Sequence, residues 1–354
     1  MKKQFVNKFK CCLINSFLVL GIIFVTVPSS VEGKTLIAQV TDVGALGDKG
    51  FNDGVKAGLD KAADEMELKV VVLQSRKDTD YVPNLSQAAE AGAKIVMAVG
   101  FLQTDALFEV AKKYPNTIFG GVDIAFRDAN GNPVHLNNVR EIQFREEQSS
   151  YLLGVLAGHM TLNGNSNKLN PENTIGVVAG IKIPPVDRWV AGYCAGARAV
   201  NPNVKILLTY TGTFSDPAIA KEAALVQYDQ GADMIFEIGG GAGLGVFEAA
   251  REKNRFAYTT DLDKNHLAPN HILASALKDV TQATYLTVKD VMNKKFKGGL
   301  AYYDITNGGI GLSPFHGLDS IVPLRVKDAI LAAAKGMSSG AIVPPTTPEE
   351  VPCL

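Results

Sequence analysis

The sequence has few cysteines and almost no net charge. Its 354 residues include four Cys, at positions 11, 12, 194 and 353, and none of them forms a Cys-x-x-Cys pair. This pattern excludes a cysteine zinc site and a fold held together mainly by disulfides. Lys and Arg number 35 against 36 Asp and Glu, a formal charge of −1. A chain without a basic excess is poorly suited to binding phosphate backbones, so we expect no nucleic-acid partner.

Motifs for metal, cofactor and nucleophile chemistry are also missing. The His residues form no i, i+4 pair of the kind that ligates zinc. Ser313 lies in Gly-Leu-Ser-Pro-Phe, which departs from the Gly-x-Ser-x-Gly nucleophile turn. The glycine-rich residues 239–245 match the dinucleotide spacing Gly-x-Gly-x-x-Gly in no register. We therefore expect no enzyme activity, no cofactor and no metal, with a metal between Asp261 and Asp263 as the alternative.

The N-terminal segment differs from the rest of the chain. Four lysines within the first ten residues precede an apolar run at residues 13–27, and Val31 and Gly33 follow at positions that suit a signal peptidase. We therefore predict a secretory signal peptide at residues 1–33. The run is shorter than the roughly 20 residues that span a bilayer, although an uncleaved anchor is the alternative. Since no Cys follows the run before Cys194, we expect an exported protein without a lipid anchor, in the periplasm or at the outer face of the cell membrane.

The remaining residues alternate between short apolar strands and amphipathic helices. Phe51, Val55, Leu59, Ala62 and Met66 recur at intervals of three and four, which predicts a helix over residues 51–66. The predicted strands are residues 35–40, 69–73, 95–99, 117–122, 174–178, 204–208, 234–238 and 256–259. This alternation indicates βαβ units and parallel sheets, and the length suits two lobes.

Two stretches resemble each other and indicate similar lobes. In residues 86–96 and 226–236, a Gln is followed by a Gly-Ala pair that ends a predicted helix and leads into an apolar strand. We interpret them as equivalent units of the two lobes.

Aromatic and polar residues collect in the loops that follow the predicted strands, where parallel sheets bind ligands. Phe51 and Trp189 offer aromatic platforms for a flat ligand. Side chains that can form directional hydrogen bonds are Asp42, Asn52, Asp123 and Asp261. The alternatives are core packing for the two aromatic residues, helix capping for Asp42 and Asp48, and a turn for Asp123.

The glycine-rich loop is a further candidate. Gly239 and Gly241 lie between a predicted strand and a predicted helix, where free backbone N–H groups can approach a polar ligand. A tight turn that requires small residues is the alternative.

Several motifs occur in a fixed order from about residue 37 to residue 314. They include Thr41-Asp42-x-Gly44, Asp48-Lys49-x-Phe51-Asn52, Gly180-Ile181-x-Ile183-Pro184, Gly212-x-Phe214-x-Asp216-Pro217 and Gly243-x-Gly245-Val246-Phe247-Glu248-Ala249-Ala250. Together they resemble the basic membrane protein family. This family is represented by purine nucleoside receptors, which are substrate-binding proteins of ABC transporters.

The resemblance implies an α/β fold of the type I periplasmic-binding-protein class, with two lobes that each contain a parallel sheet flanked by helices, and a hinge between them. The expected division is residues 34–143 with 273–322 in lobe 1, residues 144–272 with 323–345 in lobe 2, and residues 346–354 as a C-terminal tail. The expected crossings between the lobes are residues 139–144, residues 268–274 and a third near Ser320.

The resemblance also implies a purine nucleoside ligand, namely guanosine, inosine or adenosine. Phe51 would stack on the purine, with Trp189 as the opposite wall. Asn52 and Asp123 would hydrogen-bond the edge of the base. The residues expected at the ribose are Asp42, Gly241 and Asp261, assisted by Lys278.

The sequence departs from the family pattern at several positions. Gly50 stands where many members have Ser, and Lys264 stands where Gln is common. The loop at residues 239–245 is richer in glycine than usual, and the cysteine of a lipoprotein is absent.

The expected partners are a transporter permease and its ATPase. A sugar-binding protein of the same fold and an exported nucleoside hydrolase are the alternative functions. A transcription regulator with this fold would carry a helix-turn-helix where this chain carries its predicted signal peptide.

Overall fold

The computed structural model describes residues 33–351 and Cys353. The predicted signal peptide therefore lies outside the described residues, except for Gly33. From Lys34 onward the chain forms one compact unit. In the part of the chain that the structure describes, every helix is too short or too polar to cross a membrane.

Strands and helices alternate along this unit, as the apolar periodicity predicts. The strands are β1 (Leu36–Val40), β2 (Lys69–Leu73), β3 (Ile95–Val99), β4 (Ile118–Val122), β5 (Val139–Phe144), β6 (Thr174–Ala179), β7 (Lys205–Tyr210), β8 (Ala232–Ile238), β9 (Phe256–Asp261), β10 (Ile272–Lys278), β11 (Gly299–Tyr303) and β12 (Ile310–Leu312). The helices are α1 (Phe51–Met66), α2 (Tyr81–Glu90), α3 (Thr104–Lys113), α4 (Glu146–Asn163), α5 (Pro184–Val200), α6 (Pro217–Asp229), α7 (Leu244–Lys253), α8 (Val280–Met292) and α9 (Leu324–Ser338). The predicted strands and the helix at residues 51–66 are confirmed, with ends that differ by at most about two residues.

The strands form two six-stranded sheets with equivalent strand orders. The first sheet runs β11-β5-β4-β3-β1-β2, and every neighbouring pair is parallel. The second runs β12-β10-β9-β8-β6-β7 and is parallel except for its edge strand β12. Each strand therefore has an equivalent in the other sheet, and β4 corresponds to β9. The similar stretches at residues 86–96 and 226–236 fall on the equivalent pairs α2–β3 and α6–β8. The two-lobed α/β fold is thus confirmed.

The chain passes between the lobes three times. Helix α4 follows β5 of the first sheet but packs against α5, β10 and α9 in the second lobe. Helix α8 follows β10 of the second sheet but packs against α1 in the first lobe. The third passage joins β11 to β12. The crossings therefore lie at Arg145, at Asp279 and at residues 304–309.

Two of these crossings differ from the expected positions, residues 268–274 and Ser320. In the structure Ser275 of β10 pairs with Thr259 of β9, and Leu273 packs in the apolar core of lobe 2. Residues 273–278 and 310–322 therefore lie in lobe 2 and not, as expected, in lobe 1. The sequence could not decide this, because a buried apolar strand fits either parallel sheet equally well.

Helix α5 carries part of the cleft wall and is held close to α4 by glycines. A Cβ on Gly154 of α4 would collide with the backbone of Tyr193, and one on Gly196 of α5 would collide with the backbone of Tyr151. The two helix backbones are therefore in direct contact, and a larger residue would push them apart. This packing fixes the position of Trp189 on α5.

One disulfide joins Cys194 of α5 to Cys353 near the C-terminus. Lys182, just before α5, forms an ion pair with Glu349 at 3.1 Å, so the C-terminal tail is attached beside α5 at two points. The composition excluded a fold held mainly by disulfides, and one such bond beside large apolar cores agrees with this. The pairing itself was not predicted.

Candidate ligand-binding cleft

A cleft of about 560 Å³, including its open mouth, lies between the carboxyl ends of the two sheets. The first lobe lines it with Asp42, Gly44, Asp48, Phe51, Asn52, Gly100, Phe101 and Asp123. The second lobe lines it with Ile183, Pro185, Val186, Trp189, Phe214, Ile238, Gly240, Thr260, Asp261 and Lys278. The position at the strand ends is the one that parallel sheets use for ligands.

Asp48 organises the loop between β1 and α1. Its Oδ1 accepts hydrogen bonds from the backbone N–H groups of Gly50 and Asp53, at 3.0 and 3.1 Å. Its Oδ2 accepts from the backbone N–H and the side-chain amide of Asn52, at 2.7 and 3.1 Å. Asp48 therefore caps the free N–H groups at the start of α1 and fixes Asn52 at the cleft.

Asn52 is also bonded to Asp42. The amide of Asn52 donates to Asp42 Oδ1 at 2.9 Å, and the same oxygen accepts from the N–H of Gly44 at 2.9 Å. The other end of the amide, Asn52 Oδ1, is buried and has no hydrogen-bond partner among the described residues. Burial raises the pKa of Asp42 to about 6, against the lowering effect of its two hydrogen bonds. Asp42 thus shapes the loop and also presents a carboxylate to the cleft at neutral pH.

Lys278 links the two lobes inside the cleft. From the end of β10 its Nζ donates to Asp123 Oδ2, just after β4, at 2.6 Å and to Glu146 Oε1 at 2.7 Å. Burial alone would lower the pKa of Lys278, but the two carboxylates outweigh it and raise this pKa, so the side chain is a buried ammonium ion. Glu146 also accepts from Arg188 Nε at 2.6 Å. The second oxygen of Asp123, Oδ1, is buried, and no residue that the structure describes forms a hydrogen bond with it.

Asp261 occupies in lobe 2 the position that Asp123 occupies in lobe 1. Its Oδ2 accepts a hydrogen bond from Thr260 Oγ1 at 3.1 Å. Burial raises the pKa of Asp261 to about 6, and the nearby ammonium of Lys264 opposes this shift. Lys264 is itself fully buried and donates to Glu237 Oε1 at 3.1 Å. Asp261 therefore faces the cleft with a second ion pair behind it.

Aromatic side chains from both lobes line the cleft. Phe51 of lobe 1 is half-buried, and Lys278 Nζ lies 4.9 Å from the centroid of its ring. Trp189 of lobe 2 is 3% exposed and packs edge-to-face on Phe236, with ring centroids 6.0 Å apart. Trp189 therefore belongs to the core as well as to the cleft wall. Phe214, which follows β7, adds an aromatic residue that the sequence analysis did not assign to the site.

The glycine-rich loop differs from its predicted role. The N–H of Gly239 donates a hydrogen bond to Glu237 Oε2 at 3.2 Å, and the N–H groups of residues 242–245 donate hydrogen bonds to backbone carbonyls. Gly239 therefore stabilises a turn and does not offer a free N–H to a ligand. Gly240, which was not predicted, lines the cleft. A role for Gly241 at a ribose stays a prediction.

Acidic groups outnumber basic groups in and directly behind the cleft. The carboxyl groups are Asp42, Asp48, Asp123, Glu146, Glu237 and Asp261, and the cations are Arg188, Lys264 and Lys278. Such a site favours ligands that donate hydrogen bonds and disfavours anions. Among the described residues, no group of three or more His, Cys, Asp or Glu side chains is arranged to hold a metal ion. Asp263, considered as a metal ligand beside Asp261, instead accepts a hydrogen bond from His316 Nε2 at 2.6 Å.

Most of the candidate residues named from the sequence lie together at the cleft. Those that line it are Asp42, Phe51, Asn52, Asp123, Trp189, Asp261 and Lys278. The ion pairs behind it, Glu146 with Arg188 and Glu237 with Lys264, were not anticipated. A charged residue in a sequence gives no sign of whether it will be buried beside a partner from a distant segment. The Glu146-Glu147 pair at the start of α4 was the one available signal.

Comparison with known proteins gives a family match over almost the whole described chain. The model of the family Bmp, the PnrA-like ABC transporter substrate-binding proteins, matches residues 35–347. The ABC transporter nucleoside-binding protein BmpA of Lactococcus lactis is 31% identical over 87% of this chain and 88% of its own length. Basic membrane protein B of Borrelia garinii is 30% identical over 80% of this chain and 82% of its own.

Solved structures share the fold. A solute-binding protein of an ABC transporter system from Aeropyrum pernix superimposes with a TM-score of 0.81 at 27% identity, over 87% of this chain and 92% of that one. The arabinose-binding protein AraP of Geobacillus stearothermophilus has a TM-score of 0.57 at 14% identity, over 82% of this chain and all of that one. At that identity the second match supports the fold alone.

Proposed function

Because the chain belongs to the family of PnrA-like ABC transporter substrate-binding proteins, we propose that it is exported and captures purine nucleosides in its cleft. It then delivers them to a membrane permease driven by an ATPase. The name of the Lactococcus relative, a nucleoside-binding protein, supports this ligand class. The disulfide between Cys194 and Cys353 supports a location outside the reducing cytoplasm.

The observation that carries the proposal is a pair of buried acceptors beside aromatic walls. Within the described part of the chain, Asn52 Oδ1 and Asp123 Oδ1 are both buried without a hydrogen-bond partner, and both residues line the cleft. A buried acceptor without a donor costs about 1–3 kcal/mol, so a ligand that supplies N–H donors there gains affinity. The edge of a purine base carries such donors, and its flat faces suit stacking against Phe51 and Trp189.

The ribose of the ligand is assigned to the remaining carboxylates. Asp42 and Asp261 come from opposite lobes, and their carboxylates can accept hydrogen bonds from paired hydroxyls. Hydrogen bonds to an ionised acceptor are stronger than those to a neutral one. Both groups are ionised at neutral pH, because burial raises each pKa only to about 6.

The charge balance supports nucleosides over nucleotides. A phosphate would bring further negative charge into a cleft where carboxylates already exceed cations. Each cation behind the cleft is already paired with a carboxylate, Lys278 with Asp123 and Glu146, Arg188 with Glu146, and Lys264 with Glu237. We therefore expect inosine to bind and inosine monophosphate to bind far more weakly.

Capture requires the two lobes to close on the ligand. The bond between Lys278 of lobe 2 and Asp123 of lobe 1 crosses the cleft, so it is available only when the lobes are close together. Binding then couples ligand contacts to a hinge motion, as in other two-lobed binding proteins. No bond of the ligand is broken, and the chain acts as a carrier rather than as an enzyme.

A thermal-shift screen tests the proposal. The chain from residue 34 onward is unfolded and refolded to remove carried-over ligand, and is then heated with guanosine, inosine, adenosine, cytidine, uridine, inosine monophosphate, ribose, arabinose and free bases. At about 100 times Kd a ligand stabilises the folded state by about 2.7 kcal/mol, which raises the melting temperature by about 5–10 °C. We expect this shift with purine nucleosides only.

Other outcomes have definite meanings. A shift with ribose or arabinose alone would retain the carrier role and replace the nucleoside by a sugar. Release of a free base from a nucleoside, detected by chromatography, would show that the protein is a hydrolase and not a carrier.

A further inference from the structure

Gly50 and Lys264 meet across the cleft. Gly50 precedes α1 in lobe 1, and Lys264 follows β9 in lobe 2. A Cβ on Gly50 would lie 2.8 Å from Lys264 Nζ and 2.9 Å from Lys264 Cε. Both distances are shorter than ordinary van der Waals contact, so the missing side chain at Gly50 makes room for the amino group.

The amino group of Lys264 is buried among acidic residues. The whole side chain is inaccessible to solvent, and its Nζ donates to Glu237 Oε1 at 3.1 Å. Burial alone would lower the pKa of Lys264, but Glu237, Asp261 and Asp48 together raise it, so the group is an ammonium ion. Asp48 belongs to lobe 1, so part of this stabilisation arises across the cleft.

Asp261 lies next to the same contact. Its Oδ2 would be 3.2 Å from a Cβ on Gly50, so Asp261 and Lys264 face the same point of lobe 1. The charged groups that face Asp261 are Lys264, Lys278, Glu237 and Asp48. Burial, Glu237 and Asp48 favour the neutral form of the Asp261 carboxyl group. The two lysines favour its ionised form, and Lys264 has the larger effect.

We propose that Lys264 is a positioning residue for nucleoside capture: its ammonium, admitted by the missing side chain at Gly50, is covered when the lobes close and holds Asp261 as a charged acceptor for the ligand. The inference rests on the proposed function, because it assigns Lys264 an effect on the same ligand. Lys264 does not line the cleft, so it acts through Asp261 and through the fit of the two lobes.

A double-mutant cycle tests the contact. Inosine affinity is measured by calorimetry for the wild-type chain, for Gly50→Ala, for Lys264→Gln and for the double variant. Each single substitution is expected to weaken inosine binding about tenfold. The double variant is expected to bind about as well as Lys264→Gln alone, because the effects of substitutions at two residues in contact do not add. The shorter, neutral Gln leaves space for the added methyl group. Lys49→Gln is the matched control, because it removes the same charge from an exposed side chain in the neighbouring loop.

A pH series separates this role from a merely structural one. In the wild-type chain, affinity is expected to fall as pH drops through about 6, where Asp261 and Asp42 become protonated. In Lys264→Gln the carboxyl group of Asp261 loses its main positive neighbour, so the same fall is expected to begin about one pH unit higher. A variant that only loosened the fold would weaken binding by the same factor at every pH.

The outcomes distinguish this inference from the proposed function. Suppose that the wild-type chain binds inosine, the effects of the two single substitutions on affinity add, and the pH profile of Lys264→Gln is unshifted. This result overturns the role of Lys264 and leaves the proposed function standing. Non-additive variants with a shifted profile support both. Absence of binding to any nucleoside by the wild-type chain overturns both.

Discussion

The two lobes place an aspartate at equivalent points, and its surroundings differ. Asp123 follows β4 and Asp261 ends β9, and the backbone of each is left-handed, with φ of 62° and 67°. Each side chain is 6% exposed. Asp123 accepts a bond from Lys278 at 2.6 Å, whereas no salt bridge within 4.0 Å is found for Asp261 among the described residues.

The difference indicates how equivalent positions in two similar lobes can take different roles. The left-handed turn, which Asp tolerates better than most residues, aims both carboxylates into the cleft. In lobe 1 the carboxylate is bonded to a cation of lobe 2. In lobe 2 the corresponding carboxylate, among the described residues, accepts a side-chain hydrogen bond from Thr260 alone and forms no ion pair.

Removing Lys278 tests the lobe 1 side of this comparison and has the largest expected effect. Lys278→Met leaves Asp123 buried without its cation and takes one of two cations from Glu146. Breaking a buried ion pair in this way costs about 3–5 kcal/mol of unfolding free energy. We expect a large drop in the denaturant midpoint and loss of inosine binding. Lys295→Met, which changes an exposed lysine, is the control and should leave both unchanged. An unaltered midpoint in Lys278→Met would mean that the bond to Asp123 does not stabilise the closed form.

Neutralising each aspartate separates the two roles. Asp123→Asn removes the charge that pairs with Lys278, so we expect a loss of about 1–3 kcal/mol in unfolding free energy at pH 7. Asp261→Asn removes a buried charge that has no ion-pair partner among the described residues, so we expect the stability to rise at pH 7. Both changes are expected to weaken inosine binding. Equal destabilisation by both variants, measured by chemical denaturation, would show that the two positions do not differ as described.

The pH dependence of Asp261 gives a smaller effect with a definite sign. Burial raises its pKa from the ordinary 3.8 of an Asp to about 6 in the folded state, so the folded state binds more protons than the unfolded state between these values. Burial of the ionised Asp261 lowers the free energy of unfolding at pH 7, and this loss should disappear as the pH is lowered towards 4. Over the same range, protonation of Asp261 should weaken inosine binding. The measurement is the difference in unfolding free energy between wild type and Asp261→Asn, which should narrow as pH falls. A difference that stays constant with pH would contradict the raised pKa.

Substitutions of the two aromatic walls should differ in their effect on stability. Their effects on inosine binding should be the smallest among these variants. Phe51→Leu is expected to lower inosine affinity by about twofold to tenfold, as expected for one stacked pair, with little change in stability. Trp189→Leu should lower affinity similarly and also destabilise lobe 2, because Trp189 packs on Phe236 in the core. Calorimetry and thermal unfolding of the two variants give both quantities. A destabilised Phe51→Leu beside a stable Trp189→Leu would reverse this assignment.

Local patterns in the sequence predicted much of the fold. The alternation of apolar strands with the helical period of residues 51–66 was enough to predict an α/β fold. The chain length suited two lobes, and the family resemblance supplied their expected division. The lobe boundaries were less accurate, because residues 272–278 form a buried strand and only its pairing with β9 assigns it to lobe 2. Pairing between distant segments is not encoded in the strand itself.

Candidate site residues could be named from the sequence where the type and position of one residue were enough to indicate its role. Aspartates after strands and aromatic residues at helix starts could be picked out one at a time. The ion pair of Lys264 with Glu237 could not, because it depends on two segments that meet only in the folded lobe. Gly239 was misread for a related reason: its N–H is used by Glu237 two residues earlier, which the glycine pattern does not reveal.

A calorimetric titration of the refolded, ligand-free chain with inosine, and in parallel with ribose, tests the central claim most directly. We predict saturable binding of one inosine per chain at pH 7.5, with no measurable binding of ribose. Binding of ribose without inosine, or of neither compound nor any other purine nucleoside, would contradict the assignment of the cleft to purine nucleosides.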